Sequence, residues 1–316
     1  AHDVADIEQA LSLLLPRPID VSIDLIGGLP GQTLSSWRSS LERAAASGAA
    51  HVSVYDLQVE PRTAFGKWFA QGKLQLPDDQ TAADMFRTAS QVLTSRGFDH
   101  YEVSSYARPG HRCSHNRVYW TNAPFYAYGM GATSHLEGRR LARPRTMAKY
   151  TQYVERLETE GWEAVHSEEG VLEQGYEALT TELMLALRTK EGVNFDELIT
   201  AYPESDLGSA AAAACVEAAR DLPDDWVSIE PIAAPEGKTD GIEASSASSN
   251  GADLPALVSD SLDVNEQLVP SKGETPTAVG RGQRLRLTQP EGFLFSNEVI
   301  STIFARMDDA NVGTLQ

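Results

Sequence analysis

Basic residues and cysteines are what this chain has least of. Its 26 Lys and Arg stand against 45 Asp and Glu, a formal net charge of −19. It therefore lacks the basic face that a nucleic-acid partner needs in order to shed counterions. The two cysteines, Cys113 and Cys215, are too few and too far apart in sequence for a disulfide framework, and they point to a reducing compartment. No apolar run approaches the length of a membrane span, and no signal-peptide pattern opens the chain, so a soluble, cytoplasmic protein without an integral membrane segment is expected. The 41% of apolar residues in 316 is enough for two cores. The chain opens with Ala1 rather than Met and enters a helix almost at once, which reads as something missing upstream.

Residues 3–14 place Val4, Ile7, Leu11 and Leu14 at helical spacing, and Pro16 with Pro18 stops that helix. Val21–Ile26 is almost wholly apolar, as a strand buried on both faces would be, and it runs into the turn Gly27-Gly-Leu-Pro-Gly31. Thr33 caps a helix to about Ser47, with Leu34, Trp37, Leu41 and Ala45 on one face. His51–Leu57 is a second strand. A loop from Glu60 to Asp79 precedes a helix over about 80–95 and a third strand at His100–Ser104. Strands alternating with helices imply parallel strands with helical crossovers, and ligands at the strands' C-terminal ends. Three strands are too few for a closed barrel, so the pattern predicts the second half of a larger βα barrel.

Beyond the aromatic segment, helices are expected at about 147–160 and at 176–188, the latter with an inward stripe of Leu179, Leu183 and Leu187. Further helices follow near 195–201 and 208–219, with a short strand at Trp226–Ile229. From about 231 to 282 the composition turns to Ser, Ala, Gly, Pro and acidic residues, which predicts a disordered insertion. A strand at Arg284–Thr288 and a helix at Asn297–Met307 complete a small helical unit with a two-stranded wing. The expected domains are 1–165, a partial barrel, and 166–316, a helical domain carrying the insertion.

The residues that can carry chemistry are few. His115-Asn-Arg-Val-Tyr-Trp120 packs an imidazole, an amide, a phenol and an indole into six residues outside any periodic core pattern, with Tyr126, Tyr128 and His135 nearby. This reads as a surface for a flat aromatic ligand or a metal, and equally as an aromatic turn whose polar atoms anchor backbone. Asp24 is a carboxylate inside an apolar strand, suited to a ribose hydroxyl or an amino group in a barrel mouth, or to neighbouring backbone amides. Gly27 and Gly28 let backbone approach closely but lack the spacing of a phosphate-binding loop. Cys113 and His115 make a Cys-x-His pair without the further ligands of a closed zinc site, and a small buried hydrophobe is the alternative for Cys113. His135 follows the small-residue turn Gly129–Ser134, and a solvated loop histidine is its alternative. His2, His51, His100, His111 and His166 show no supporting partners in sequence.

Together, Asp24–Thr33, Tyr101–Gly110, Cys113–Trp120 and Gly129–His135 resemble the HemW-type haem chaperones, a branch of the radical S-adenosylmethionine family of oxygen-independent coproporphyrinogen III oxidases. The resemblance covers residues 1 to about 230 and again about 283–316. It implies an α/β fold: the C-terminal half of a partial radical-SAM βα barrel, then a small helical, winged-helix-like domain. The His-Asn-x-x-Tyr-Trp motif marks the haem-associated branch, so the resemblance assigns His115, Asn116, Tyr119 and Trp120 to haem, with His115 as a candidate iron ligand. Asp24 matches the family aspartate that contacts S-adenosylmethionine, and Gln58 and Thr133 fall near positions where relatives approach that cofactor.

The departure from the family is large. The Cys-x-x-x-Cys-x-x-Cys loop that holds a 4Fe-4S cluster would lie before Ala1, and Cys113 with Cys215 cannot replace it. The chain as given is therefore expected neither to build the cluster nor to cleave S-adenosylmethionine, and no catalytic residue is assigned. The resemblance implies haem and client haem proteins as partners, with the cluster and S-adenosylmethionine in the full-length protein only. Coproporphyrinogen III oxidation is the alternative activity. The acidic insertion points to a eukaryotic source, in which case a plastid or mitochondrial location replaces the cytoplasm.

Overall fold

The computed structural model describes residues 3–232, 280–310 and 312. Asp3 starts α1 (Val4–Leu14): its carboxylate accepts from the amides of Ala5 and Asp6, and the Asp6 carboxylate accepts from the Asp3 amide. The helix is where the spacing predicts it, but it buries no residue, and Val4, Ile7, Leu13 and Leu14 stay exposed.

β1 (Ser22–Gly27), α2 (Leu34–Ala46) and β2 (His51–Asp56) form a parallel unit in which Asp24 pairs with Ser53. Thr33 and Ser36 cap α2 reciprocally, and Trp37, Leu41, Ala44 and Ala45 form its buried face. β1 is not buried on both faces as its composition predicts. It is an edge strand: Ile23 and Leu25 pack against the core of Trp37, Val52 and Val54, while Ser22, Asp24 and Ile26 are exposed on the other face. The apolar run misleads because Ile26 is exposed at 45%.

The predicted loop after β2 contains α3 (Ala64–Ala70), and α4 (Asp79–Ser95) follows. The third strand departs from the parallel expectation. β3 (Asp99–Glu102) turns back at once through Val103 and Ser104 into β4 (Ser105–Ala107), which inserts antiparallel between β2 and β3, giving the order β1-β2-β4-β3. A two-residue link is too short for a crossover, so the only pairing open to it is a hairpin.

Two small layers follow. The first holds α5 (Ser114–Trp120), β5 (Thr133–Leu136), β6 (Arg139–Ala142), α6 (Met147–Glu160), α7 (Trp162–Glu169) and β7 (Val171–Leu172), around a core of Leu141, Tyr153 and Val165. Glu137 and Gly138, both at positive φ, close the β5–β6 hairpin. The second holds α8 (Gly175–Ala186), β8 (Val193–Asn194), α9 (Phe195–Ala201), α10 (Leu207–Asp221), β9 (Val227–Pro231), β10 (Gln283–Leu287), α11 (Glu291–Leu294) and α12 (Ser296–Asp309). Leu179, Leu183 and Leu187 are fully buried there, with Ala211, Cys215 and Ile303. Among the described residues its sheet has three strands, β8-β10-β9, one more than the wing predicted from sequence. Apart from its ends, the expected insertion at 231–282 lies outside the described residues.

The segment after α8 adds backbone to the free edge of β3. Val103 N–H donates to Arg188 O at 3.0 Å, and Lys190 N–H donates to Tyr101 O at 2.9 Å. Arg87 reaches Glu291 with two bonds of 2.7 and 2.8 Å, and the Gln289 amide donates to His100 O.

His100 is fully enclosed at this junction, stacked on Tyr106 and edge-on to Phe293. Burial pushes its pKa from the ordinary 6.5 down to about 4. Below pH 6.5 the unfolded chain gains a proton at this ring that the folded chain cannot take up, so the stability is complete above that pH and is lost as the pH falls toward 4. Urea unfolding at pH 7 and pH 5 is expected to differ by about 2 kcal/mol from this ring alone. The His100→Phe variant should lack that part of the difference; an unchanged pH profile would contradict the assignment.

Candidate functional site

The aromatic segment is a helix, not a turn. The seven residues of α5 run from Cys113, whose side chain caps nothing, and end in a Schellman motif: Ala123 N–H donates to Val118 O and Asn122 N–H to Tyr119 O, both at 3.0 Å. Asn122 takes φ 48°, the left-handed region that asparagine tolerates better than most side chains. Its Oδ1 also accepts from Arg140 at 2.7 Å, so one residue both stops α5 and ties it to β6. Replacing Asn122 by alanine is expected to cost about 1–2 kcal/mol. Asn122→Gly should recover the backbone part of that loss, as read from urea midpoints.

Helical geometry places His115 and Tyr119 one turn apart on the same face. Their rings meet edge-on at 5.1 Å, and Tyr119 Oη lies 3.3 Å from His115 Nε2. Both side chains are exposed, and Tyr119 stacks edge-on with Phe125 at 4.7 Å. Asn116 and Trp120, one residue further round, are half-buried on the adjoining face of the helix, and the Trp120 indole N–H is enclosed with no hydrogen-bond partner among the described residues.

α5 lies against α8, and a cavity opens on each side of that contact. The first, of about 300 Å³, has apolar walls from Tyr119, Phe125, Met184 and Leu185 and a polar end made by Asn122, Arg140 and Glu173. Arg140 bonds Glu173 Oε1 at 2.5 Å, while Glu173 Oε2 is buried without a partner among the described residues. The second, of about 240 Å³, is lined by Trp120, Arg117 and Arg112 of the α5 segment facing Glu182, Glu191 and Glu197. An apolar slot with a few converging polar groups has the chemistry of a site for a flat amphipathic ligand; His115 is not among its lining residues and reaches it only through its contact with Tyr119.

Asp24 is not part of this cluster. It lies on the exposed face of β1, paired in register with Ser53, and among the described residues its carboxylate accepts no hydrogen bond. Gln58 follows the C-terminal end of β2, next to the Gly27–Gly31 turn, where Leu57 N–H donates to Gly27 O. Thr133 opens β5 on a separate sheet. His135 is no solvated loop residue: it is a buried strand residue beside Phe125, its Nδ1 unpartnered among the described residues. Cys113 is half-buried at the head of α5 rather than a core residue, and Cys215 alone is fully buried.

Sequence reasoning passes over His51 and Tyr101. His51 Nε2 lies 2.9 Å from Tyr101 Oη and Nδ1 lies 2.9 Å from Ser22 Oγ. Burial lowers the His51 pKa, with Asp24 opposing. The signal was available in the period of two along β2: Val52 and Val54 face the core, which turns His51, Ser53 and Tyr55 to the Asp24 side. His111, also without a partner in sequence, meets Asp20 at 2.9 Å. His2 lies outside the described residues.

Among the described residues no group of three or more His, Cys, Asp or Glu side chains can hold a metal ion, and the sequence supplies two cysteines where a Cys-x-x-x-Cys-x-x-Cys loop needs three. The residues present do not fit a 4Fe-4S cluster. No helix among them is long and apolar enough to cross a membrane.

No protein-family model matches the chain. It is 36% identical over 309 residues to the heme chaperone HemW of Synechocystis sp., an alignment covering 98% of this chain and 64% of that protein. It is 31% identical over 186 residues to the heme chaperone HemW of Bacillus subtilis, covering 59% of this chain and 48% of that one. Among solved structures it superposes on coproporphyrinogen III oxidase (HemN) from Escherichia coli, described as a radical SAM enzyme, with a TM-score of 0.60 at 15% identity, over 96% of this chain and 59% of that one. The chain thus spans less than two thirds of each of these proteins, and the last likeness establishes a shared α/β fold.

Proposed function

We propose, from its 36% identity to a heme chaperone HemW over 98% of its own length, that the chain belongs with that family and is the haem-binding part of a haem chaperone, which takes haem as cargo for delivery to client haem proteins. The observation that carries this reading is the pair His115 and Tyr119, one helical turn apart on the exposed face of α5, with Tyr119 lining a cavity with an apolar wall. His115 would offer an imidazole nitrogen to the haem iron, Tyr119 would orient that ring, and Asn116 and Trp120 would line the adjoining face of the helix. Bound haem supplies an iron with an axial position that an imidazole can fill. Trp120 and Glu173, whose indole N–H and Oε2 are enclosed without a hydrogen-bond partner among the described residues, each line one of the two cavities.

Asp24 belongs to a different task in this reading. Its carboxylate, on the open face of β1 and without a hydrogen bond among the described residues, suits the hydroxyls or amino group of S-adenosylmethionine. The boundary between a barrel unit at 1–165 and a helical unit at 166–316 belongs to the same proposal; Val165 packs with Leu141 and Tyr153, and the largest core gathers most of its residues from Leu179 onward. A cytoplasmic or organellar location also remains part of the proposal. Coproporphyrinogen III oxidation rests on the HemN fold alone, at 15% identity.

The test is an absorbance titration of the purified chain with haem. A saturable shift of the Soret band at one haem per chain, lost in a folded His115→Ala variant, is the expected result. A wild-type chain that is folded and gives no saturable shift would overturn the proposal.

A further inference from the structure

We infer that Tyr101, held from below by His51, is a positioning residue that fixes the start of α5 and with it the direction in which His115 and Tyr119 face. The inference rests on the haem reading for its functional meaning, but not for its geometry.

A helix of seven residues cannot hold its own orientation in water, because the bonds it gains do not offset the cost of its nucleus. Its direction has to come from anchors. The C-terminal anchor is Asn122 with Arg140. At the other end Cys113 provides no side-chain cap, and its N–H donates instead to Tyr101 Oη at 3.3 Å. The residue before it, Arg112, lies over the Tyr101 ring at 5.4 Å and is itself fixed by Asp99 at 2.7 Å and Glu191 at 2.5 Å.

Tyr101 is 2% exposed, yet it belongs to none of the three apolar clusters of the fold. Its surroundings are polar: His51 at 2.9 Å, the Cys113 amide and Arg112. A ring kept only for packing would have no use for the hydroxyl. One arrangement of protons fits the contacts that join Cys113, Tyr101, His51 and Ser22, with the Ser105 hydroxyl a further hydrogen-bonding neighbour of Tyr101. The Cys113 N–H donates to Oη, the Tyr101 hydroxyl donates to His51 Nε2, and His51 Nδ1–H donates to Ser22 Oγ. It requires a neutral imidazole, which burial favours at this position. Ser22 stands two residues before Asp24 on the same exposed face of β1, so the hydrogen bonds run across the sheet from the Asp24 side to the head of α5.

Amide hydrogen exchange on the haem-free 316-residue chain tests the positioning role directly. In Tyr101→Phe, which keeps the ring and removes the hydroxyl, amides at 113–120 are expected to exchange about three- to tenfold faster, with those of β2 and α8 unchanged. His51→Ala should give the same pattern, while His51→Gln, whose amide can still meet the hydroxyl, should restore most of the protection. Haem affinity should fall by a similar factor in the two loosened variants. Unchanged exchange at α5 in folded Tyr101→Phe and His51→Ala overturns the inference. If the wild-type chain binds no haem but α5 still loosens, the positioning stands and the haem reading falls.

Discussion

Replacing Trp37 by alanine is expected to destabilise the chain by about 3–5 kcal/mol, the range for emptying a large aromatic site in a packed core. Trp37 is 1% exposed and stands between α2, α4 and the first two strands, in contact with the cluster of Leu41, Val52 and Leu93. Its indole N–H donates to Met85 O at 2.9 Å, which ties α2 to α4 across 48 residues of sequence. A Cβ at Gly27 would sit 3.5 Å from the indole, so the ring also supports the C-terminal end of β1, where the turn beyond Asp24 begins. Trp37→Phe keeps most of the volume but removes the indole donor, leaving the Met85 carbonyl only its bond within α4, and a loss of about 1–2 kcal/mol is expected. Urea midpoints order the three proteins: wild type, then Trp37→Phe, then Trp37→Ala. Equal midpoints for the two variants would mean that the volume of the ring matters little and the hydrogen bond nearly everything.

His115→Ala is expected to weaken haem binding on the order of ten- to a hundredfold, the scale on which metal sites respond even to loss of a group that orients a ligand. Tyr119→Phe removes the hydroxyl that lies 3.3 Å from His115 Nε2 and should weaken binding about three- to tenfold, with a shifted Soret maximum as the imidazole loses its orienting partner. Asp24→Ala, on another element and turned to another face, should leave haem affinity within about twofold. Equal losses in folded His115→Ala and Asp24→Ala would end this division of labour.

Much of the frame is legible in the sequence because helix signals are local. Thr33 before Leu34, the helix expected over about 80–95, and the stripe of Leu179, Leu183 and Leu187 all lead to helices, although Leu34, expected on the inward face of α2, is exposed. Strand burial and pairing are not local. Nothing in Val21–Ile26 says that one face of β1 stays open, and nothing in Tyr101–Ala107 but the short link through Val103 and Ser104 says that β4 will insert between β2 and β3.

The candidate site shows the same division. The residue types of the His115 motif are plain in the sequence, and the i, i+4 spacing of His115 and Tyr119 already places them on one helical face. The helix itself is obscured because seven residues with no apolar stripe give periodicity too little length to register. The groups that hold α5 are Tyr101, His51, Arg112 and Arg140, and each comes from a different segment or reaches a partner far along the chain. Only the fold brings them together.

The central claim is that haem sits on α5 beside α8. Amide hydrogen exchange of the chain with and without one equivalent of haem tests it most directly. Added protection concentrated at 113–125 and along the facing part of α8, absent in His115→Ala, is the predicted result. Protection confined to β1 and the turn at Gly27–Gly31, or spread evenly over the surface, would contradict the account.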